Sequence, residues 1–445
     1  MRNLPLTSIY EVDQVERVIK PVHRYKMWLH LITKGNDNNK LQALDEFVPF
    51  SSWSVPRETV ATLSKTFVQF TTKVIQIQES ARGDTTKLLV QLQDGHLVET
   101  VIMQHHHYRT VCISSQIGCK MGCKFCATGT MGIIGNLTVG EIIEQVVHAN
   151  NVKKIRNVVF MGMGEPLNNF EAVKSAVEFL IDTRLFSLSP RHVTVSTVGV
   201  IKNMRRLTEE LPQVSLALSL HAPNQEVRLK IVPSAAAHKF EALLAELDYR
   251  ISSWNSNKGA GKLIENTDGV EDEEEQSSTK FTSRFKKHVN NAGIMIEYIL
   301  IKDINDLPEH AEELGAVLKS RREELLLNLI PYNPTDIAED FQPPSTESVD
   351  RFVSILTSEK YRIHTRVRHE KGQDIDGACG QLVVQTNKNS TKKNLDIEDI
   401  GVSSRTKRSQ IPSKPTSKSL SGNVTNLVTA ASLGYIVFSL FSSKE

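Results

Sequence analysis

The chain predicts an α/β fold. We expect an open, partial (β/α)6 barrel with a small N-terminal helical and β-strand accessory region and a disordered C-terminal tail. Three observations carry this. From Val111 onward, short apolar runs alternate with stretches of helical period, the pattern of parallel strands joined by crossover helices. The alternation occurs six times, fewer than the eight units that close a barrel. Five of the segments that leave these strands are polar or glycine-rich, and in such barrels chemistry gathers at the C-terminal ends of the strands.

Residues 1–60 read as short helices forming an N-terminal accessory domain, with Tyr25, Trp28, Leu29, Leu31 and Ile32 as an apolar stripe. Arg17, Lys20, His23, Arg24 and Lys26 can meet RNA phosphate or form a solvated face. No apolar h-region opens the chain, and Glu11, Asp13 and Glu16 argue against an organellar leader. Residues 65–104 change to alternation. FVQFTTKVIQIQES, KLLVQLQDG and HLVETVIM read as strands leading into the barrel, with Asp94-Gly95 as a turn. Glu99 falls inside the third strand, where a lone glutamate ordinarily faces solvent. Alternation would put His105 and His107 of HHHYR on one face, but adjacent histidines are expected to be exposed.

The barrel spans 105–385. Its first strand runs into VCISSQIGCKMGCKFCATGT, Val111 to Thr130. Thr138-x-x-Glu141 is a capping box for a helix with Ile142, Ile143, Val146 and Val147 inward. Strand 157–161 ends in GMGEP, and Ala172, Val173, Ala176, Val177 and Leu180 mark the next helix. Strands at 192–196, 214–220, 294–301 and 325–330 follow, with helices over IKNMRRLTEEL, near 238–252, at 307–321 and at 346–358. Between them, 253–291 is rich in Gly, Ser, Asn and acid and reads as a disordered insertion. Residues 386–445 are a polar linker ending in a short apolar tail. Leu427 to Phe441 is uncharged but short of the roughly 20 residues of a membrane span. Extended to Val424–Ser443, with Arg405, Lys407, Arg408, Lys414 and Lys418 upstream, it is a marginal tail-anchor candidate. A helix docking on protein is the other reading.

Length, 445 residues with 40% hydrophobic and 23% charged, fits one large soluble domain with appendages. A net charge of +2 leaves any nucleic-acid surface to local patches. Of five cysteines, four lie between Val111 and Thr130, which fits a reducing compartment and metal or redox chemistry. Cys119, Cys123 and Cys126 are spaced C-x3-C-x2-C. Three thiolates in one loop can hold three irons of a cubane and leave the fourth iron open to a ligand. A zinc site closed by Cys112 or one of His105, His106 and His107, disulfides, and inert thiols are the alternatives. The fifth cysteine, Cys379, lies in KGQDIDGACGQL between Gly377 and Gly380. Flanking glycines let backbone approach a ligand closely, whereas a lone cysteine is otherwise a small buried residue.

The cysteine spacing, with Phe125 before the last cysteine, resembles the radical SAM (S-adenosylmethionine) superfamily. Together with CISSQIGC, GMGEP, SLHAPN, NLIPYNP and DIDGACGQL in that order, the stretch from about 65 to 385 resembles the RlmN-type radical SAM adenine methyltransferases. The resemblance implies that Cys119, Cys123 and Cys126 hold a [4Fe-4S] cluster whose open iron binds SAM. It implies a SAM site of Gly164, Glu165, Ser196, Ser219, Leu220, His221 and Asn333. It implies two SAM per turnover: one methylates Cys379, and a radical from the other activates that methyl to add to carbon 2 of adenine. Glu99 is then the proton acceptor, and Cys112 resolves the covalent protein–RNA adduct by forming a disulfide with Cys379. The implied partners are large-subunit rRNA and tRNA, at unstacked adenosines, and an electron donor such as flavodoxin or ferredoxin. A cytoplasmic monomer is expected, with membrane contact through the tail as the exception. Two rivals remain: a Cfr-like enzyme that methylates carbon 8 of the same adenosine, and a non-catalytic RNA-binding relic. The acidic insertion and the tail have no counterpart in the usual bacterial pattern.

Overall fold

The computed structural model describes residues 2–33, 48–260, 294–335, 340–368, 371–378 and 380–382. At the N-terminus, strand β1 (Thr7–Ser8) precedes helices α1 (Val12–Glu16) and α2 (Pro21–Thr33). The buried stripe of α2 is Met27, Trp28, Leu31 and Ile32, while Leu29 points outward at 43% exposure. Trp28 anchors the stripe: its Nε1 donates to the Ile9 carbonyl at 2.9 Å, and its ring meets Phe179 edge-on at 5.1 Å. Helix α3 (Arg57–Thr66) leads into β2 (Phe67–Val68), which pairs in parallel with β1. The run FVQFTTKVIQIQES is therefore two strands. Between them the Thr71 and Thr72 amides donate to the carboxylate of Glu144, which turns the backbone out of any ladder.

Next come β3 (Lys73–Glu79), β4 (Thr85–Gln91), β5 (Leu97–Gln104) and β6 (Arg109–Cys112), joined antiparallel. The cysteine-rich stretch folds as β7 (Gln116–Cys119), α4 (Ala127–Thr130) and β8 (Gly132–Asn136), the strands forming a separate hairpin. The anticipated capping box is formed at the start of α5 (Val139–Val152), where the Glu141 amide donates to Thr138 Oγ1 and the Thr138 amide to Glu141. Then follow β9 (Asn157–Phe160), α6 (Phe170–Ile181), β10 (Val193–Thr197), α7 (Ile201–Glu210), β11 (Ser215–Ser219), α8 (Gln225–Ile231) and α9 (Phe240–Ala260). The chain closes with β12 (Ile294–Leu300), α10 (Pro308–Leu318), β13 (Leu325–Pro331), α11 (Thr346–Thr357) and β14 (Thr365–Val367).

Ten strands make one sheet, ordered β14-β13-β12-β11-β10-β9-β6-β5-β4-β3. Neighbours from β6 to β14 are parallel. The expected six units are present, and β14 adds a seventh parallel strand at one edge. The other edge, β3, does not pair with β14, so the barrel is open. Strands β11 to β13 are buried at nearly every position, as parallel strands covered on both faces are, with Glu297 and Asn328 as buried polar residues among them. Ile142, Ile143, Val146 and Val147 of α5 are fully or nearly fully buried, each contributing roughly 1.5–3 kcal/mol by leaving water. One expectation is corrected. Helix α9 continues through Ala260, eight positions into the stretch read as an insertion from 253, because buried Trp254 anchors that turn to the body. The remainder of the insertion, 261–291, lies outside the described residues.

After β14 the chain crosses the open seam. Lys371 Nζ donates to the Gln104 carbonyl, and the Ala81 amide donates to Asp374 at 2.7 Å. Gly372 has φ +72° and sits where a Cβ would lie 2.6 Å from Thr85 Cγ2, so only glycine fits this crossing. Further on, the Ala127 amide donates to the Gly380 carbonyl at 2.8 Å, and Thr128 Oγ1 to the Leu382 carbonyl at 2.7 Å. Among the described residues no helix is long and apolar enough to cross a membrane. The tail from 386, with its apolar end, lies outside them.

Candidate active site

The cysteine loop is tight because glycine allows it. Gly118 has φ +75°, and a Cβ there would sit 2.0 Å from the Gly132 carbonyl. A Cβ on Gly129 would sit 2.8 Å from the Cys123 carbonyl. The Cys126 amide donates to that carbonyl at 3.1 Å, closing the turn. Cys119 ends β7, Cys123 is buried and Cys126 caps α4. Around them pack Met121, Phe125, Ile231, Val232, Ile299 and Tyr332. Burial pushes the Cys119 thiol up to about 12 and raises Cys123 and Cys126 as well. Such thiols give up protons only to a cation that replaces them. Among the described residues no three His, Cys, Asp or Glu side chains are grouped to hold one metal ion. A cubane fits the donor set, since its thiolates each bind a separate iron.

The strand ends converge beside this loop. GMGEP leaves β9. Gly164, φ +101°, passes so close to Gln116 that a Cβ would lie 2.6 Å from the glutamine Cβ. The Glu165 amide donates to Gln116 Oε1 at 2.9 Å. The Glu165 carboxylate is buried, which raises its pKa, and it accepts from the amides of Leu167 and Val198, each at 3.0 Å. Ser196 is the penultimate residue of β10 and Ser219 the last of β11, their hydroxyls 3.4 Å apart. Leu220 is buried, its amide donating to the Glu297 carbonyl at 3.0 Å. His221 adopts φ +60°. Its Nδ1 accepts from the Ile299 amide at 3.1 Å, so the neutral ring carries its proton on Nε2. Burial, and then the charge of Arg228, press its pKa down to about 3. Phe125 meets the His221 ring edge-on at 4.8 Å, which couples the cysteine loop to the strand ends. Asn333 accepts from Gln373 Nε2 at 2.9 Å, tying the end of β13 to the seam crossing.

Glu99 is not solvent-facing: it is 2% exposed. Its Oε1 lies 3.1 Å from Lys87 Nζ, and Lys87 is itself buried. Strand register explains the pair. Lys87 lies opposite Val101 on β4–β5, and Cys112 lies opposite Val101 on β5–β6. Successive side chains alternate across a sheet, so Lys87, Glu99 and Cys112 share one face. Ser114 Oγ donates to the Glu99 carbonyl at 2.8 Å, and Thr100, on the other face, donates to Gln145 at 3.0 Å. Cys379 lies outside the described residues. Three residues escaped the sequence reading: Lys87, Gln116 and Arg228. Lys87 becomes visible only with the β4–β5 register. Of the histidines, His105 is half-buried and stacks on Tyr108 at 4.6 Å, while His106 and His107 are exposed.

An open parallel barrel with a three-cysteine loop at the end of its first strand, and polar strand ends converging on that loop, defines a radical SAM enzyme. Residues 113–254 match the family model of the Radical SAM superfamily. The chain is 40% identical over 313 residues to "Ribosomal RNA large subunit methyltransferase N" of Nitrosopumilus maritimus, covering 67% of this chain and 77% of that protein. It is 34% identical over 342 residues to "Probable dual-specificity RNA methyltransferase RlmN" of Clostridium tetani, covering 76% and 86%. The crystal structure of a radical SAM methyltransferase from Sphaerobacter thermophilus superposes with a TM-score of 0.66 at 30% identity, covering 86% of this chain and 99% of that one. The chain belongs to the RlmN family of radical SAM methyltransferases, and its cofactors are a [4Fe-4S] cluster and SAM.

Proposed function

We propose that this enzyme methylates carbon 2 of adenosine in large-subunit rRNA and in tRNA. Carbon 2 is not nucleophilic, so a polar methyl transfer would fail. When bound, the reduced cluster and SAM supply a carbon radical. Cys119, Cys123 and Cys126 hold the cluster. Gly164, Glu165, Ser196, Ser219, Leu220, His221 and Asn333 hold SAM. Cys379 carries the methyl group and is joined through it to the adenine ring. Glu99 takes the ring proton as the adduct gives up its odd electron, returned to the cofactor that supplied it. Cys112 then attacks the Cys379 sulfur; the disulfide forms as the carbon–sulfur bond breaks toward the ring, and the released carbon takes up a proton to become the methyl group of the freed RNA.

The observation that carries this reading is the shared face of Glu99, Lys87 and Cys112. The Glu99 carboxylate is held 3.1 Å from the Lys87 side-chain nitrogen, fixed in place where a carboxylate can act as a base. It lies on the sheet face that also bears the proposed resolving thiol. The bond from Ala127 to Gly380 supports Cys379 as the partner, since it ties the residue after Cys379 to the residue after Cys126. RNA as substrate is supported by a cavity of about 770 Å³ at the seam, lined by Arg82, Arg368 and Lys371. Its acids are engaged locally, Asp374 by the Ala81 amide and Asp84 by Ser80; of its cations, Lys371 also donates to the Gln104 carbonyl and Arg368 lies 3.9 Å from Glu297. The test is mass spectrometry of nucleosides from RNA treated with the reconstituted enzyme. 2-Methyladenosine is expected; 8-methyladenosine, or no methylated product, overturns the reading.

A further inference from the structure

Arg228 is fully buried on α8, yet no carboxylate among the described residues lies within 4.0 Å of it. Its Nε donates to the Leu220 carbonyl at 3.0 Å, and its Nη2 to the Val198 carbonyl at 2.5 Å and the Ser219 carbonyl at 3.2 Å. Its Nη1 is buried without a hydrogen-bond partner among the described residues. A buried cation costs several kcal/mol unless paired, and carbonyl dipoles offset only part of that. The counter-charge must come from what fills the site. Helix α8 lies against the cysteine loop: the Lys124 amide donates to the Ile231 carbonyl at 3.0 Å, and Ile231 and Val232 pack in the cluster of side chains that holds Cys123. Val198, whose carbonyl Arg228 binds, packs against that same cluster of side chains. A second buried arginine, Arg250, hydrogen-bonds among the described residues only to carbonyls, those of Leu207 and Val214, but it packs by Trp254, and its partners lie outside the side-chain cluster that holds Cys123.

We propose that Arg228 is a positioning residue for the cluster, its buried charge set beside the loop that carries Cys123 and so easing one-electron reduction. This rests on Cys123 being a cluster ligand. By formal counting, three thiolates around an oxidised core sum to one negative charge, and the electron adds another. A fixed positive charge nearby stabilises the more negative state and raises the potential.

The test uses the anaerobically reconstituted full chain as wild type, Arg228→Gln, Arg228→Lys and Arg250→Gln. Iron and sulfide content are measured first. The cluster is then titrated without SAM, following the reduced state by electron paramagnetic resonance. Arg228→Gln is expected to keep its iron while its reduction equilibrium constant falls at least tenfold, a shift of about 59 mV toward negative potential. Arg228→Lys keeps charge but loses the fork, and should fall between it and wild type. Arg250→Gln should match wild type. If Arg228→Gln fails to hold iron, Arg228→Lys decides. A wild-type potential in Arg228→Lys, or in an iron-loaded Arg228→Gln, overturns the inference; accompanied by weaker SAM binding, it would reassign Arg228 to the SAM carboxylate. Iron retained by Cys123→Ala would instead overturn the ligand assignment beneath it.

Discussion

Two polar centres, one at Glu144 and one at Arg228, are built on opposite terms. Where the N-terminal strand docks, Glu144 accepts from Ser8 Oγ at 2.5 Å, from the Thr71 and Thr72 amides, and from both threonine hydroxyls. His148 completes this centre, its Nε2 2.9 Å from Thr72 Oγ1 and its ring stacked on Phe70 at 4.7 Å. At the mouth of the barrel, Arg228 keeps a buried N–H unspent and three buried thiols sit with raised pKa. A saturated network has nothing left to offer a ligand, so its energy goes into holding the accessory region on the barrel. An unsaturated one costs stability until something arrives. Substitutions in the two centres should therefore separate binding and turnover from folding.

The sharpest separation should come from the cysteines. Cys123→Ala is expected to lose the cluster and all turnover, read as iron content and product. Cys379→Ala should also abolish turnover but with iron unchanged, because its proposed sulfur carries the methyl rather than the metal. Loss of iron in that variant would contradict the division of roles. Cys112→Ala should accumulate a protein–RNA crosslink visible on a denaturing gel, and normal release of product would remove Cys112 from the last step. One rank lower, Glu99→Gln should reduce the turnover number by about 10²–10⁴-fold, the usual worth of a general base, with urea unfolding and iron content near wild type. An unfolding shift in place of a kinetic one would make Glu99 a second Glu144.

Glu144→Ala should do the converse. It strands two backbone amides, and each buried donor left without its acceptor costs about 1–3 kcal/mol. A stability loss of about 3 kcal/mol or more by urea unfolding is expected, with the folded fraction still taking up iron. A variant as stable as wild type but without a cluster would erase the contrast between the centres.

Sequence made the barrel legible because its signals are local. The apolar run at 157–160, the capping box at Thr138 and Glu141, and the polar strand ends at Glu165, Ser196 and His221 each show within a few residues. What it hid is long-range. Nothing near Glu144 in sequence marks its role; β1 and the Thr71–Thr72 turn, 136 and 73 positions away, supply its partners. Glu99 reads as solvent-facing until Lys87 is placed across from Val101. The break in FVQFTTKVIQIQES escaped for the same reason, since the group that bends the backbone belongs to α5. Arg228 follows SLHAPN as an ordinary helical arginine, and nothing near it in sequence marks its burial.

The smallest effect is a pH dependence that the docking centre should impose on the protein without its cofactors. Burial holds His148 down to about 4, against an ordinary 6.5. In the unfolded chain the same ring takes a proton as pH falls through 6.5, and in the folded chain it does not until about 4. Between these values the unfolded state binds more protons, so stability falls as pH falls. The full difference is about 3 kcal/mol, lost progressively over that window and fully present above it. Glu144 in the same centre works the other way, burial raising its carboxyl to about 7, so the effect of His148 is read as a difference: unfolding midpoints measured from pH 7.5 to 4.5 should fall further in wild type than in a variant without the ring. In His148→Gln, which cannot take up the proton, the slope should be shallower while the value at pH 7.5 is set by packing against Phe70 alone. Equal slopes in the two proteins would mean that the ring is already charged in the folded state, and that this centre is less closed to protons than its hydrogen bonds imply.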